Sequence, residues 1–133
     1  MKRQIIFRGR TAQGNWAFGD LEYRRISHVA LIHEYEEGTR AAYRQQVQVE
    51  NKTIGQFTGL QDAYGKDIYE GDIVKTTMPP IETFEIGYED SHIGAFSLCT
   101  KEGFAGIFGR DGYEPFYVEV IGNVHDNPEL LKQ

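Results

Sequence analysis

The sequence contains little of what marks secreted or membrane proteins. Among 133 residues there is a single cysteine, Cys99, so no intrachain disulfide can form and a reducing compartment is favoured. The apolar run near the start is only Ile5-Ile6-Phe7, which is too short for the hydrophobic region of a signal peptide. No stretch approaches the roughly 20 apolar residues of a membrane-spanning helix. We therefore expect a soluble, cytoplasmic protein with no membrane association.

Signatures of catalysis and of metal binding are also scarce. No H-E-x-x-H or C-x-x-C motif occurs, and no two of the four histidines lie two residues apart on a strand: His28, His33, His92 and His125. The glycine-rich segment 103–112 matches neither the dinucleotide fingerprint nor the phosphate loop. We predict no catalytic residue, no metal site and no cofactor, with Cys99 as a buried thiol. A zinc site assembled from distant elements and a His92–Cys99 nucleophile pair stay open as alternatives.

Charge is unevenly distributed along the chain, whose net charge is −6. Residues 62–90 hold eight acidic and two basic residues, whereas residues 1–52 hold nine basic and six acidic ones. An acidic middle and a mildly basic start could support head-to-tail association or a bipolar surface. Ordinary solvated strand faces explain the same pattern.

Hydrophobic periodicity predicts short strands. In residues 43–50 the apolar and polar side chains alternate, with Tyr43, Gln45, Val47 and Val49 on one face. Phe84, Ile86 and Tyr88 alternate in the same way, as do Phe116, Val118 and Val120. Shorter runs extend the set of candidate strands to 4–8, 16–23, 26–35, 43–50, 72–77, 83–89, 95–100 and 115–121.

Glycine and proline separate these candidate strands at turns. Fifteen glycines are spread along the chain, and Pro79-Pro80 lies within a segment, 76–83, that we predict to be a loop. Asp111-Gly112 is another predicted turn, and the glycines at 103, 106, 109 and 112 indicate a flexible or extended loop. Asn127 and Pro128 favour the start of a short C-terminal helix, and residues 36–44 could add one helical turn. We predict one mainly β domain over residues 1–133, a barrel-like or sandwich arrangement of short antiparallel strands.

The stretch QDAYGKDIYEGDIV, residues 61–74, combines acidic residues with glycines. Gly65 suits a turn with positive φ, and Gly71-Asp72 delivers the chain into a strand. Asp62 and Asp72 can accept hydrogen bonds from nearby backbone N–H groups. The spacing of a calcium-binding EF-hand fails here, because Lys66 and Asp67 occupy its fifth and sixth positions. We interpret the stretch as turns, with a carboxylate cluster as the functional alternative.

Three ordered blocks resemble the YopX family of small phage and prophage proteins. They are IIFRGRTAQGNWAFGDL (5–21), TIGQFTGLQDAYGKDIYEGDIV (53–74) and VIGNVHDNPELL (120–131), and the segments 24–50 and 76–115 depart from the family pattern. The resemblance implies a mainly β, barrel-like fold with oligomers, a phage or prophage setting in a bacterial host cell, and no established activity. The signature positions, which we interpret as structural turns, are Gly55, Gly59, Asp62, Gly65, Gly71 and Asp72.

Two binding functions follow from these observations. Our leading hypothesis is an accessory phage protein that forms a homo-oligomer or binds a host or phage protein through aromatic and acidic surface. The alternative is a small β-barrel that binds nucleic acid with basic and aromatic side chains. A sequence pI of about 5.2 opposes the alternative, because phosphate attraction supplies most non-specific affinity. Its candidate surface consists of Arg3, Arg8, Arg10, Trp16, Arg24 and Arg25, beside Phe18.

Overall fold

The computed structural model describes residues 4–89, 94–109 and 113–131. Within them the chain is mainly β, as predicted, and its helical turns are short 3-10 turns. The strands are β1 (Phe7–Arg10), β2 (Trp16–Arg24), β3 (Val29–Tyr35), β4 (Tyr43–Val49), β5 (Gly55–Gln61), β6 (Asp67–Tyr69), β7 (Asp72–Thr76), β8 (Thr83–Glu89), β9 (Ala95–Thr100), β10 (Gly103–Ile107) and β11 (Val118–Asn123).

These strands form two sheets with antiparallel pairing. One has the order β4-β3-β2-β1-β5-β6 and the other β10-β9-β8-β7-β11. The predicted antiparallel, mainly β fold is therefore confirmed. Neither sheet closes on itself among the described strands, so a barrel is not shown, and a sandwich arrangement of the two sheets stays a prediction.

The chain divides into two compact units, Met1–Phe57 and Thr58–Gln133, and the division falls within β5. We call them unit 1 and unit 2. Each has its own cluster of buried apolar side chains. The prediction of a single domain over the whole chain stays a prediction.

The core of unit 1 is small and lies where β4 closely approaches β1. It consists of Ala17, Ala30, Ile32 and Val49, with Phe7, Leu21, Val47 and Ile54 packed against it. A Cβ placed on Gly9 of β1 would lie only 2.6 Å from Cγ2 of Val49, so β4 approaches β1 closely at this point. The Glu50 N–H also donates to the Arg10 carbonyl at 2.8 Å.

The core of unit 2 follows the alternation predicted for its strands. Phe84 and Ile86 of β8 face the same cluster as Val74 and Leu98, and Tyr88 extends this row to an exposed position. Ile68, Phe108, Val118 and Val120 complete the cluster, with Phe96 and Tyr113 beside it.

A β-bulge in β4 overturns one predicted strand face. Glu34 pairs with Gln45, but the next residue, Tyr35, pairs with Tyr43, so Arg44 is an extra residue in its strand. Such a bulge re-aims the side chains beyond it. The prediction that Tyr43 shares a face with Val47 and Val49 is therefore wrong. Tyr43 lies instead beside His33 and Tyr35.

Glycine-rich and short segments account for the strands that periodicity missed. β5 contains two glycines, β6 has three residues, and β10 occupies Gly103–Ile107, where we predicted a loop. The predicted loop between β7 and β8 is confirmed. The predicted Asp111-Gly112 turn lies outside the described residues.

The helical predictions were less accurate. Pro128–Leu131 form one 3-10 turn rather than the predicted C-terminal helix, and residues 36–42 contain no helix. Pro115–Tyr117 form another 3-10 turn. The prediction that Phe116 lies on a strand with Val118 and Val120 is therefore wrong. Phe116 is 60% exposed. Proline fixes φ near a helical value and has no N–H to pair with a neighbouring strand, which favours a turn here.

Candidate functional site

Unit 1 carries a polar aromatic cluster, which we call the tyrosine–aspartate site: Asp20, Tyr35 and Tyr43. The hydroxyls of Tyr35 and Tyr43 both donate to Oδ2 of Asp20, at 2.5 and 2.6 Å. Their ring centroids are 5.2 Å apart. The bulge in β4 creates this arrangement, because it brings Tyr43 to the Asp20 side of the sheet.

A cation from the same chain lies against the site. The Arg40 guanidinium carbon is 4.7 Å from the centroid of the Tyr35 ring, and Nη2 donates to the Tyr35 hydroxyl at 3.5 Å. A cavity of about 170 Å³ is lined by Tyr35, Arg40, Ala41, Ala42 and Tyr43. The site thus combines aromatic faces, a carboxylate and a small cavity.

These contacts shift two pKa values. Burial raises the pKa of Asp20, but hydrogen bonds from the two tyrosines and the charges of Arg40 and His33 together bring it below its ordinary value. The hydrogen bond to Asp20 raises the pKa of Tyr43 to about 12, because ionisation would place a phenolate beside a carboxylate. The neutral tyrosine is the form that the site stabilises.

The Tyr43 shift gives a first prediction. In a spectroscopic titration of tyrosinate absorbance, one tyrosine should ionise near pH 12, and Asp20→Asn should return it towards its ordinary value near 10. Because the folded pKa lies above the unfolded one, the stabilisation is complete below about pH 10 and is lost as the pH rises through about 12. Tyr43→Phe should remove this component from the titration curve. Persistence of the component in Tyr43→Phe would show that the assignment is wrong.

A second polar cluster, formed by Glu22, Arg24 and His33, lies on β2 and β3. His33 Nε2 is 2.7 Å from Oε1 of Glu22, and Arg24 Nε donates to Oε2 of Glu22 at 3.0 Å. The hydrogen bond from His33, followed by that from Arg24, lowers the pKa of Glu22. The carboxylate of Glu22 is therefore engaged on both oxygens, and the charge of Arg24 is partly balanced.

Half of the predicted nucleic-acid surface does come together, but in a compact arrangement. The guanidinium carbons of Arg8 and Arg10 lie 4.7 and 5.9 Å from the Trp16 ring centroid. Arg8 is only 8% exposed, and Arg10 forms an ion pair with Glu50 at 3.7 Å. Cationic groups engaged in this way offer little to a phosphate backbone.

The other members of that predicted surface are not part of this cluster. Arg24 pairs with Glu22, and Arg25 lies in the exposed turn that connects β2 to β3. Arg3 lies outside the described residues. Phe18, which we place beside that surface from the sequence, is 45% exposed.

Asp62 anchors the turn after β5. Its Oδ1 accepts the backbone N–H groups of Tyr64 and Lys66 at 2.8 and 2.9 Å, and its Oδ2 accepts that of Val120 at 2.9 Å. Burial raises the pKa of Asp62, but the three N–H donors and the Lys66 charge together lower it below the ordinary value. The carboxylate ties the turn to β11, and Asp62 is 7% exposed.

The remaining signature residues lie in turns and strands of the same region. Gly59, Gly65 and Gly71 have φ values of 86°, 84° and 89°, in the left-handed region that favours glycine. Gly55 pairs with Arg8 across β5 and β1. Asp72 is buried in β7, and its Oδ2 accepts the Tyr69 N–H at 2.8 Å.

Unit 2 has an exposed apolar surface that the sequence did not reveal. We call it the apolar patch: Met78, Pro79, Pro80, Ile81, Phe116 and Tyr117. Met78, Ile81 and Phe116 are 59%, 56% and 60% exposed. The Phe116 and Tyr117 rings are in contact, with centroids 4.4 Å apart. A groove of about 450 Å³ runs between the 78–82 turn and the Tyr113 and Tyr117 side chains.

No group of three or more metal-binding side chains occurs in the described part of the chain. Among the described histidines, His28 has a φ of 57° and its Nδ1 lies 3.2 Å from the Tyr23 hydroxyl. Cys99 is half-buried, with Sγ 3.4 Å from Oγ of Ser97. His92, the other half of the alternative nucleophile pair, lies outside the described residues.

None of the described helices has the length and hydropathy of a membrane span.

Comparisons with known proteins agree with the three sequence blocks. The chain is similar to protein EF1440 from Enterococcus faecalis, a crystal structure that it matches with a TM-score of 0.63 and 23% identity, over 98% of this chain and 99% of that one. This similarity shows a shared fold. No curated protein matches the chain. A family model described as YopX protein matches residues 7–132, and the chain therefore belongs to the YopX protein family.

Proposed function

We propose that this chain is a protein-binding β module that self-associates through the apolar patch of unit 2. The observation that carries the proposal is a groove lined by Met78, Pro79, Pro80 and Tyr117, with the exposed side chains of Ile81 and Phe116 on adjacent residues of the chain. Exposed apolar patches of this kind on small proteins mark interaction surfaces. The accessory role in a phage or prophage and the cytoplasmic setting, implied by the family resemblance, belong to the same proposal.

Hydrogen bonds hold the backbone that carries the apolar patch. Thr76 Oγ1 accepts the Glu82 N–H at 2.8 Å and donates to the Pro80 carbonyl at 3.1 Å, which closes the 77–82 turn. The Thr77 N–H donates to the Tyr117 carbonyl at 2.8 Å, which joins this turn to the aromatic pair. Because the backbone is fixed, little conformational entropy is lost when the patch is covered.

The net negative charge of unit 2 predicts that this association strengthens as the salt concentration rises. Unit 2 contains fourteen acidic and five basic residues, so two copies that meet through it repel one another. Added salt screens this repulsion and should strengthen the association. Head-to-tail association between the basic start and the acidic middle would instead weaken with salt.

Matched variants test the role of the patch. Burying a large apolar side chain contributes about 1.5–3 kcal/mol, so Phe116→Ser should weaken self-association by roughly 10- to 100-fold. Tyr88→Ser is the control, because Tyr88 is also an exposed aromatic of unit 2 but lies at the opposite end of β8 from the 77–82 turn. The measurement is the molar mass by light scattering behind a sizing column at tens of micromolar. Equal masses for the wild type and both variants would contradict the role of Phe116.

A further inference from the structure

We propose that the tyrosine–aspartate site of unit 1 binds the guanidinium group of an arginine side chain from a partner protein, and that Arg40 is a tethered competitor for it. Aromatic faces next to a carboxylate are the features that recognise a planar cation. The site lies in unit 1 and the apolar patch in unit 2, and the proposal does not depend on self-association.

The geometry of the two tyrosines and Asp20 supplies the recognition chemistry. The rings of Tyr35 and Tyr43 are inclined by 32° with centroids 5.2 Å apart, and the His33 ring lies 5.3 Å from that of Tyr43. Both hydroxyls donate to Oδ2 of Asp20, whereas Oδ1 has no hydrogen-bond partner in the described part of the chain. A guanidinium on the ring face can donate to this second oxygen, which forms a charge-assisted hydrogen bond.

The position of Arg40 shows that the site accommodates a guanidinium. Its Cζ lies 4.7 Å from the Tyr35 ring centroid, within the range of cation–π contacts. Its hydrogen bond to the Tyr35 hydroxyl is long, at 3.5 Å, and the residue is exposed. The contact is therefore weak enough for another arginine to replace it.

The 36–42 loop does not depend on the Arg40 side chain for its structure. The Glu36 N–H donates to the Ala42 carbonyl at 2.9 Å, and the Thr39 N–H donates to the Glu36 carbonyl at 3.2 Å. The Ala41 N–H donates to Oγ1 of Thr39 at 2.9 Å. Arg40 can leave the ring while the loop keeps these backbone bonds.

Asp20 supplies the negative charge of the site. Glu22 forms an ion pair with Arg24, and Glu34 forms one with Arg44, so these two carboxylates are already balanced within unit 1. A cationic ligand is therefore attracted through Asp20 rather than through general acidity.

The test uses N-acetyl-arginine methylamide, its neutral citrulline analogue, and the full chain with Arg40→Gln, which removes the tethered charge but keeps much of the stem. Binding is followed by the NMR shifts of the Tyr35 and Tyr43 rings. A tethered competitor at an effective concentration on the order of mM raises the apparent Kd by one plus the ratio of that concentration to its own Kd, so the arginine probe should bind Arg40→Gln about two- to tenfold more tightly than the wild type. The citrulline analogue should not bind either protein.

Two further variants, each in the Arg40→Gln background, separate recognition from general acidity. Asp20→Asn should abolish binding of the arginine probe, while Glu37→Gln, which removes an exposed acid from the adjoining loop, should leave it nearly unchanged. Dispersed NMR spectra of each variant establish that it is folded. The proposal is overturned by the absence of saturable ring shifts in folded Arg40→Gln, by equal binding of the citrulline analogue, or by equal losses in Asp20→Asn and Glu37→Gln.

Discussion

Gly19→Ala should unfold or severely destabilise unit 1. Gly19 lies in β2, and an added Cβ would overlap the backbone carbonyl oxygen of His33 in β3, with the carbonyl carbon at 2.9 Å and Cα of Glu34 at 3.2 Å. A clash with backbone cannot be relieved by a side-chain rotation, so the β2–β3 pairing must shift. Overpacking usually costs about 1–3 kcal/mol, and we expect a loss of more than about 3 kcal/mol here because two strands must separate.

The same displacement should disturb the tyrosine–aspartate site. Asp20, the residue after Gly19, pairs with His33, so a shift of β2 moves its carboxylate away from Tyr35 and Tyr43. The measurement is chemical denaturation of the wild type and Gly19→Ala. Gly106→Ala is the control, since its Cβ would meet only the Tyr113 ring at 3.4 Å and should cost less than about 1 kcal/mol. Similar stabilities for Gly19→Ala and the wild type would contradict the close approach of β2 to β3.

Asp62→Ala should strongly destabilise unit 2. It removes the acceptor of three backbone N–H groups, and hydrogen bonds to charged groups contribute about 1.5–3 kcal/mol each. Allowing for water reaching part of the turn, we expect a loss of roughly 3–5 kcal/mol in the free energy of unfolding. Asp67→Asn is the control, because Asp67 is exposed and, among the described residues, accepts a side-chain hydrogen bond only from the Gln61 amide.

The pH dependence of stability provides an independent check on Asp62. Its folded pKa lies below the ordinary value, so its contribution is present above the unfolded pKa, about 3.9, and is lost as the pH falls through the folded pKa. The free energy of unfolding of Asp62→Ala should therefore fall less steeply on acidification than that of the wild type. An unchanged slope, or an Asp67→Asn loss as large as that of Asp62→Ala, would contradict the anchoring role.

The sequence predicted those elements in which local patterning and tertiary packing agree. β8 alternates cleanly, and its Phe84 and Ile86 are buried together as expected. The turn was predictable for the same reason: the hydrogen bonds that Asp62 accepts from Tyr64 and Lys66 and the positive φ of Gly65 lie within five residues of chain, whereas the bond that Asp62 accepts from Val120 was not predictable from local spacing. The glycines of β5 and β10, in contrast, weaken the alternation on which the assignment of strands depends.

The candidate sites were missed because they depend on exceptions to regular strands. One extra residue, Arg44, moves Tyr43 to the other side of its sheet, and no periodicity reports a bulge in advance. Phe116 fits an alternating pattern but lies in a 3-10 turn, and this exposes it. The long-range contact between Gly19 and the backbone of β3 is likewise invisible in the local sequence.

The molar mass of the purified wild-type chain, measured by light scattering at tens of micromolar and at two salt concentrations, tests self-association most directly. We expect a mass above that of the 15.2 kDa monomer, with a larger associated fraction at about 500 mM than at about 50 mM NaCl. A strict monomer at both salt concentrations would contradict self-association. A mass that falls as salt rises would contradict the apolar patch as the contact and favour head-to-tail pairing.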